Sequence, residues 1–182
     1  MSLTSFFIYL LVSYITFHQS TLDEPPFGGF KLGSPLNELR SDFYIITGEE
    51  ELYQRNEFLK KSIKRNINIG IEEGVYRGSD LNKIHNKRAS KTTFFYFKNS
   101  LYKVRWSFDK RDFDNPRQVG KKIDSFLTQK YGPNTEIGAF GMLVWKDDTY
   151  YLQSLGDTQE YQIEYRNEII HQKVEALKWT NK

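Results

Sequence analysis

The alternation of apolar and polar side chains is clearest from Lys91 to Asp109. Thr93 to Lys98 reads as one strand and Asn99-Ser100 as a tight turn. Tyr102, Val104, Trp106 and Phe108 then alternate with Lys103, Arg105 and Ser107. A period of two predicts a strand with the four large apolar side chains on one face and the polar ones on the other. The same reasoning predicts strands over Phe43 to Thr47, Ile137 to Trp145 and Tyr150 to Leu155. It also predicts them over Asn66 to Glu72, with Ile67, Ile69 and Ile71 on one side, and over Glu160 to Arg166, with Tyr161, Ile163 and Tyr165 together.

Helical spacing is clearest in Val119, Ile123, Phe126 and Leu127, which form one apolar stripe. Asn115-Pro116 opens this helix, and Tyr131-Gly132-Pro133 closes it with a glycine and then a proline. Ser34 and Pro35 suit the cap and first position of a short helix carrying Leu36 and Leu39. Glu168 to Lys178 predicts a closing helix with Ile169, Val174 and Leu177. Glu49 to Arg65 is highly charged and leaves its element open, although Leu52, Phe58, Leu59 and Ile63 would line a helical face. The order predicts an α+β fold: an antiparallel β-sheet of consecutive hairpins with helices packed on one face. The two helix-then-hairpin units suggest a diverged tandem repeat.

The first twenty residues differ from the rest. They contain no Asp, Glu, Lys or Arg, and Phe6 to Phe17 is an almost wholly apolar run. It is short for the roughly twenty residues a spanning helix needs and suits the apolar region of a signal peptide. Residues 1–20 are therefore expected to be a signal peptide; a signal anchor, a misassigned start or a buried strand are the alternatives. Residues 21–29, containing LDEPPFGG, read as a linker. Residues 30–182 then form a single α+β domain, and the expected location is periplasmic or secreted.

Composition narrows the chemistry. The chain has 182 residues, enough for an ordinary core in one domain. It has no cysteine, which excludes disulfides, thiolate metal sites and a cysteine nucleophile. The net charge of +3 is too even for a dedicated nucleic-acid binder, so no nucleic acid is expected, and membrane contact only through an uncleaved leader. Aromatic residues make up 16%, which points to sheet and core before a sticky surface.

No catalytic, metal or cofactor set stands out. Of the three histidines, His18, His85 and His171, none has a second histidine at helical metal-ligand spacing. There is no Gly-x-Ser-x-Gly and no phosphate-binding glycine loop. Asp109, Asp112 and Asp114 lack the glycine and distal glutamate of a calcium loop, and Lys110 and Arg111 would repel a cation. Two basic stretches occur: Lys60, Lys61, Lys64 and Arg65, and then Lys83, Lys87, Arg88 and Lys91. The second set is a candidate for binding anions. No cofactor is expected.

FGGFKLGSPLNEL at residues 27–39, KYGP after the amphipathic helix, and a strand with a single Trp followed by a hairpin and the YRNEII tail carry a resemblance. The pattern over residues 27 to 178 is similar to exported bacterial helix-on-antiparallel-sheet domains of unknown function. It resembles in arrangement the modules of the outer-membrane assembly lipoprotein BamE and of β-lactamase inhibitory protein. The chain lacks the lipidated cysteine of the first and the disulfides of the second. The resemblance implies an envelope or secreted protein that acts by protein–protein contact. The leading expectation is a non-enzymatic binding module for another protein, with Tyr96, Tyr150, Tyr151 and Tyr161 as candidate interface anchors. The alternatives are a hydrolase using carboxylates or His171, and a carrier of a small apolar ligand.

Overall fold

The structure is a computed structural model that describes residues 22–26, 30–38, 43–45, 57–76, 83–84, 87–112, 118–156 and 160–180. The expected leader, His85, Asp114 and the predicted helix start at Asn115-Pro116 lie outside the described residues. Strand β1 (Phe43–Ile45) is followed by helix α1 (Glu57–Asn68), β2 (Ile71–Tyr76) and a small hairpin of β3 (Lys83–Ile84) and β4 (Lys87–Arg88). Then come β5 (Lys91–Phe97), β6 (Ser100–Asp109) and helix α2 (Val119–Tyr131). Strands β7 (Glu136–Ile137), β8 (Leu143–Lys146), β9 (Tyr150–Gly156) and β10 (Glu160–Asn167) lead into helix α3 (Glu168–Thr180).

This is the expected α+β fold, an antiparallel sheet with helical cover. Eight strands pair antiparallel in the order β1-β2-β5-β6-β10-β9-β8-β7. The sheet is built inward from both edges, β1, β2, β5 and β6 from one side and β7, β8, β9 and β10 from the other, and the two halves meet where β6 pairs with β10. On one face lies the main core. Phe94, Tyr96, Val104, Trp106, Phe108, Trp145, Leu152, Tyr161, Ile163 and Tyr165 meet Ile123, Leu127 and Tyr131 of α2 there. Each fully buried large apolar side chain of this kind contributes about 1.5–3 kcal/mol. A smaller cluster gathers Ile71, Tyr102 and Val174, and through Val174 and Ile170 it seats α3.

Turns and a bulge decide where the sequence pattern holds. The β5–β6 turn is Lys98-Asn99, one residue earlier than expected, with φ of 50° and 65°. Two left-handed residues give the tight turn whose twist matches a hairpin, and asparagine tolerates that region well. Across β5 and β6, Phe95 faces Lys103 but Tyr96 faces Leu101, so Tyr102 is the extra residue of a β-bulge. The bulge separates the predicted quartet: Val104, Trp106 and Phe108 enter the main core, while Tyr102 joins Ile71 and Val174. The predicted strand over Asn66 to Glu72 is the end of α1 followed by the start of β2. Gly70, at φ +82°, closes the helix with its N–H on the Ile67 carbonyl at 2.9 Å. Its neighbour Ile67 is consequently exposed on α1.

The N-terminal stretch is part of the domain. The expected linker is corrected over residues 22–26, where Leu22 and Pro26 are buried. The Tyr165 hydroxyl donates to the Leu22 carbonyl at 2.5 Å, and the Tyr131 hydroxyl to the Glu24 carbonyl at 2.8 Å. Lys130 Nζ donates to the Pro25 carbonyl at 2.8 Å. Phe30 continues this strap onto the sheet, its ring edge-on to Phe94 at 5.2 Å and 5.7 Å from Trp106. Helix α2 is docked by Asp124, which accepts from Ser154 Oγ at 2.7 Å and from the Tyr161 hydroxyl. The Tyr161 ring lies against Gly120 and Gly156, where a Cβ would sit 2.8 Å and 3.0 Å from it.

Candidate functional site

The densest arrangement of charge lies on the sheet face that carries Tyr102 rather than Trp106. Register places Phe95, Lys103, Arg166, Tyr151 and Lys146 in one row across β5, β6, β10, β9 and β8. The next row is Thr93, Arg105, Glu164 and Gln153, and the one after it begins Lys91, Ser107 and Gln162. Glu164 is the hub. Its Oε2 accepts from Arg105 Nη2 at 2.7 Å and Nε at 3.2 Å, and Lys103 Nζ lies 3.9 Å away. Its Oε1 accepts from Arg166 Nη1 at 2.7 Å, while Arg166 Nε donates to Glu168 at 2.7 Å.

Burial sets the electrostatics of this cluster. The Glu164 side chain is 7% exposed and that of Lys103 8%, whereas that of Arg105 is 39% exposed. Burial alone would raise the Glu164 pKa, but Lys103, Arg105 and Arg166 overcome it and hold the carboxyl at about 2. Burial pulls the Lys103 ammonium down to about 8, assisted by Arg105, Lys178 and Arg166 and opposed by Glu164. Aromatic rings support the cations: Lys103 lies 4.1 Å and Arg105 5.6 Å from the Phe95 centroid, and Arg166 3.9 Å from that of Tyr151. His171 of α3 stacks on Tyr102 with centroids 6.5 Å apart. Burial lowers its pKa, with help from Arg166 and Lys103.

A second feature is the β7–β8 hairpin at the sheet edge. The predicted strand Ile137 to Trp145 is broken here. Gly138 N–H donates to the Met142 carbonyl at 2.8 Å, and Ala139–Gly141 forms a 3₁₀ turn. Phe140 stands at the tip with φ 60° and ψ 22°, a left-handed conformation that costs a bulky L-residue about 1–2 kcal/mol. Its ring is 96% exposed, and Ile137 beside it is 70% exposed. No charged side chain occurs from Ile137 to Trp145. An ion pair of Lys146 with Glu136 at 2.6 Å ties the two strands below the tip.

The sequence candidates fall in different places. Tyr96 and Tyr161 are corrected as interface anchors: both are buried in the main core, and strand alternation turns them toward α2 and the strap. Tyr150 and Tyr151 are half-buried, Tyr150 stacked on Tyr165 at 5.9 Å and Tyr151 under Arg166. Of the basic set, Lys91 is exposed on the face of Arg105 and Lys103. Lys83 faces Arg88 across the small hairpin, with Lys87 beside it, and Arg88 is exposed. The set is therefore divided between that hairpin and the main sheet.

Lys103, Arg105, Glu164, Arg166 and Phe140 were not singled out from the sequence. Spacing by two put Lys103 with Arg105 and Glu164 with Arg166, but only the β6–β10 register brings the pairs together. For Phe140 the signal was its flanking glycines, Gly138 and Gly141, which interrupt a strand pattern.

Among the described residues, no group of three or more His, Asp or Glu side chains is placed to hold a metal ion. No helix among them is long and apolar enough to cross a membrane. Two open depressions run along α2, one lined by Gln118, Lys121, Lys122 and Ser125, the other including Asp124, Thr128 and Gln129. Compared with protein-family models, with curated proteins and with solved structures, the chain gives no match in any of the three.

Proposed function

We propose that this chain is an exported, non-enzymatic module that binds another protein, and that the Phe140 hairpin makes the contact. The observation that carries the reading is a fully solvated phenylalanine held in a left-handed turn. Folding gains nothing from that ring, since it touches water on nearly all sides. The strain recurs in every folded molecule, so a compensating role outside the fold is expected of it. Phenylalanine and isoleucine at an exposed tip are suited to fill an apolar pocket of a folded partner, where a buried ring contributes about 1.5–3 kcal/mol. The export part of the reading is supported by the uncharged apolar run at residues 6–17.

The two rival readings have less behind them. His171, the histidine a hydrolase would use, is half-buried on α3 and stacked on Tyr102. The depressions along α2 are open and lined by polar side chains, unlike an apolar ligand chamber.

The absence of cysteine makes a clean test possible. Ala139→Cys leaves Phe140 in place and puts one thiol on the exposed tip. The purified variant should label rapidly with a maleimide, and the same variant in the native host should be protected. Gln129→Cys on the exposed side of α2 should label equally in both. Equal labelling of the Ala139→Cys thiol in the two settings would refute the contact.

A further inference from the structure

We infer that His171 is an acid-sensitive latch on helix α3: protonation of its ring releases the helix from the sheet beyond its first turn. The helix is fastened at its start. Glu168 N–H donates to the Thr149 carbonyl at 2.8 Å, Ile170 N–H to Asn167 Oδ1 at 3.0 Å, and Arg166 Nε to Glu168 at 2.7 Å. Further along, Val174 is its one buried side chain, set against Ile71 and Tyr102. Ile169, Gln172, Lys173, Ala176 and Trp179 are exposed. A helix of 13 residues has little stability of its own in water, so this one depends on that narrow seam.

His171 lies in the seam. Its ring is stacked on Tyr102 with centroids 6.5 Å apart, and its Nδ1 is buried with no hydrogen-bond partner among the described residues. A neutral ring tolerates that, because it carries a single N–H, which Nε2 can hold. A protonated ring must place a second N–H at Nδ1, where nothing accepts it, and a buried donor without an acceptor is costly. Tyr102 and Lys103 face the ring from β6, Glu164 and Arg166 from β10, and Glu175 from α3 itself. Behind them Glu73 of β2 and Arg105 of β6 act on Tyr102, and Lys178 of α3 acts on Lys103. Burial weighs most against the charged ring, then Arg166 and Lys103; Glu164 and Glu175 offset them only in part, so the pKa lies below 6.5. Leaving the sheet lets the ring take its proton in water. The helix is therefore fully held above pH 6.5 and loses its hold as the pH falls, by up to about tenfold for each unit until the docked ring itself titrates. Release bares Tyr102 and Ile71, while the main core on the other face stays packed.

The latch shares no residue with the Phe140 hairpin, so its failure would leave the hairpin contact standing. The test is amide hydrogen exchange of the full chain between about pH 7.5 and about 5, corrected for the intrinsic pH dependence of exchange. Amides from Val174 to Thr180 should exchange through an opening that leaves β6 closed, and their protection should fall up to about tenfold per unit below pH 6.5. The His171 Cε1–H signal should titrate below 6.5. His171→Phe keeps a ring on Tyr102 with no proton to bind and should remove the pH dependence. Lys103→Met, which takes away one cation, should shrink it. Equal protection in α3 and β6, no fall between these pH values, or a ring that titrates at or above 6.5 would overturn the inference. So would an undiminished fall in both variants.

Discussion

Lys103 offers a test of the buried charge cluster through the dependence of stability on pH. Its pKa falls from an ordinary 10.5 to about 8 on folding, chiefly through burial. Between those values the unfolded chain binds a proton that the folded chain has released. Stability therefore rises with pH across that window, the reverse of a lysine that gains a partner on folding. The full difference is worth about 3 kcal/mol, and about 2 kcal/mol of it is realised between pH 8 and about 10. The upper limit is set by Tyr96, Tyr102, Tyr131, Tyr161 and Tyr165, whose burial raises their pKa values above the ordinary 10.0. Above that pH they ionise in the unfolded chain first, and stability falls. Urea unfolding at closely spaced pH values should give a rising midpoint from pH 8, then a decline beyond about 10. Lys103→Met keeps the volume, removes the charge and should flatten the rise. A wild-type midpoint that is level or falling over the window, or an equal rise in Lys103→Met, would refute the reasoning.

Three further outcomes follow from the packing. Glu164→Gln removes the carboxylate that Lys103, Arg105 and Arg166 share and should cost about 3–5 kcal/mol in urea unfolding. In the wild type, the part of stability carried by Glu164 should be present above its ordinary 4.5 and lost as the pH falls toward about 2. Gly120→Ala places a Cβ 2.8 Å from the Tyr161 ring and should cost about 1–3 kcal/mol by thermal melting. Leu22→Ala should cost about 2–5 kcal/mol if the strap is part of the core, against almost nothing for a free linker.

How far the fold was legible depended on whether a pattern was local. The antiparallel sheet could be read because Tyr161, Ile163 and Tyr165 alternate within one strand, and Val104, Trp106 and Phe108 within another. The exchange of Tyr102 to the other face could not, because the bulge is a property of β5 and β6 together. Ile67, Ile69 and Ile71 mimicked a strand because Gly70 joins a helix end to a strand start within a few residues. The strap was obscured by its prolines: LDEPPFGG has linker composition, yet Leu22 and Pro26 are buried and the Leu22, Glu24 and Pro25 carbonyls are bound from distant elements. The charge cluster was the least legible, since it depends on β6 pairing with β10 across 59 residues of sequence. Alternation groups Tyr96 with Phe94 and Tyr161 with Ile163 but does not say which face of the sheet is covered, and that face is the one packed in the core.

The most direct test of the hairpin contact replaces Phe140 with the photo-crosslinker p-benzoylphenylalanine, which keeps an aromatic ring at the tip. Irradiation in the native host should yield one discrete adduct, and the same replacement at Gln129 should yield none. Phe140→Gly, which relieves the left-handed strain, should melt no lower than the wild type and should abolish protection of the tip. No adduct at position 140, or an equal adduct at Gln129, would contradict the account.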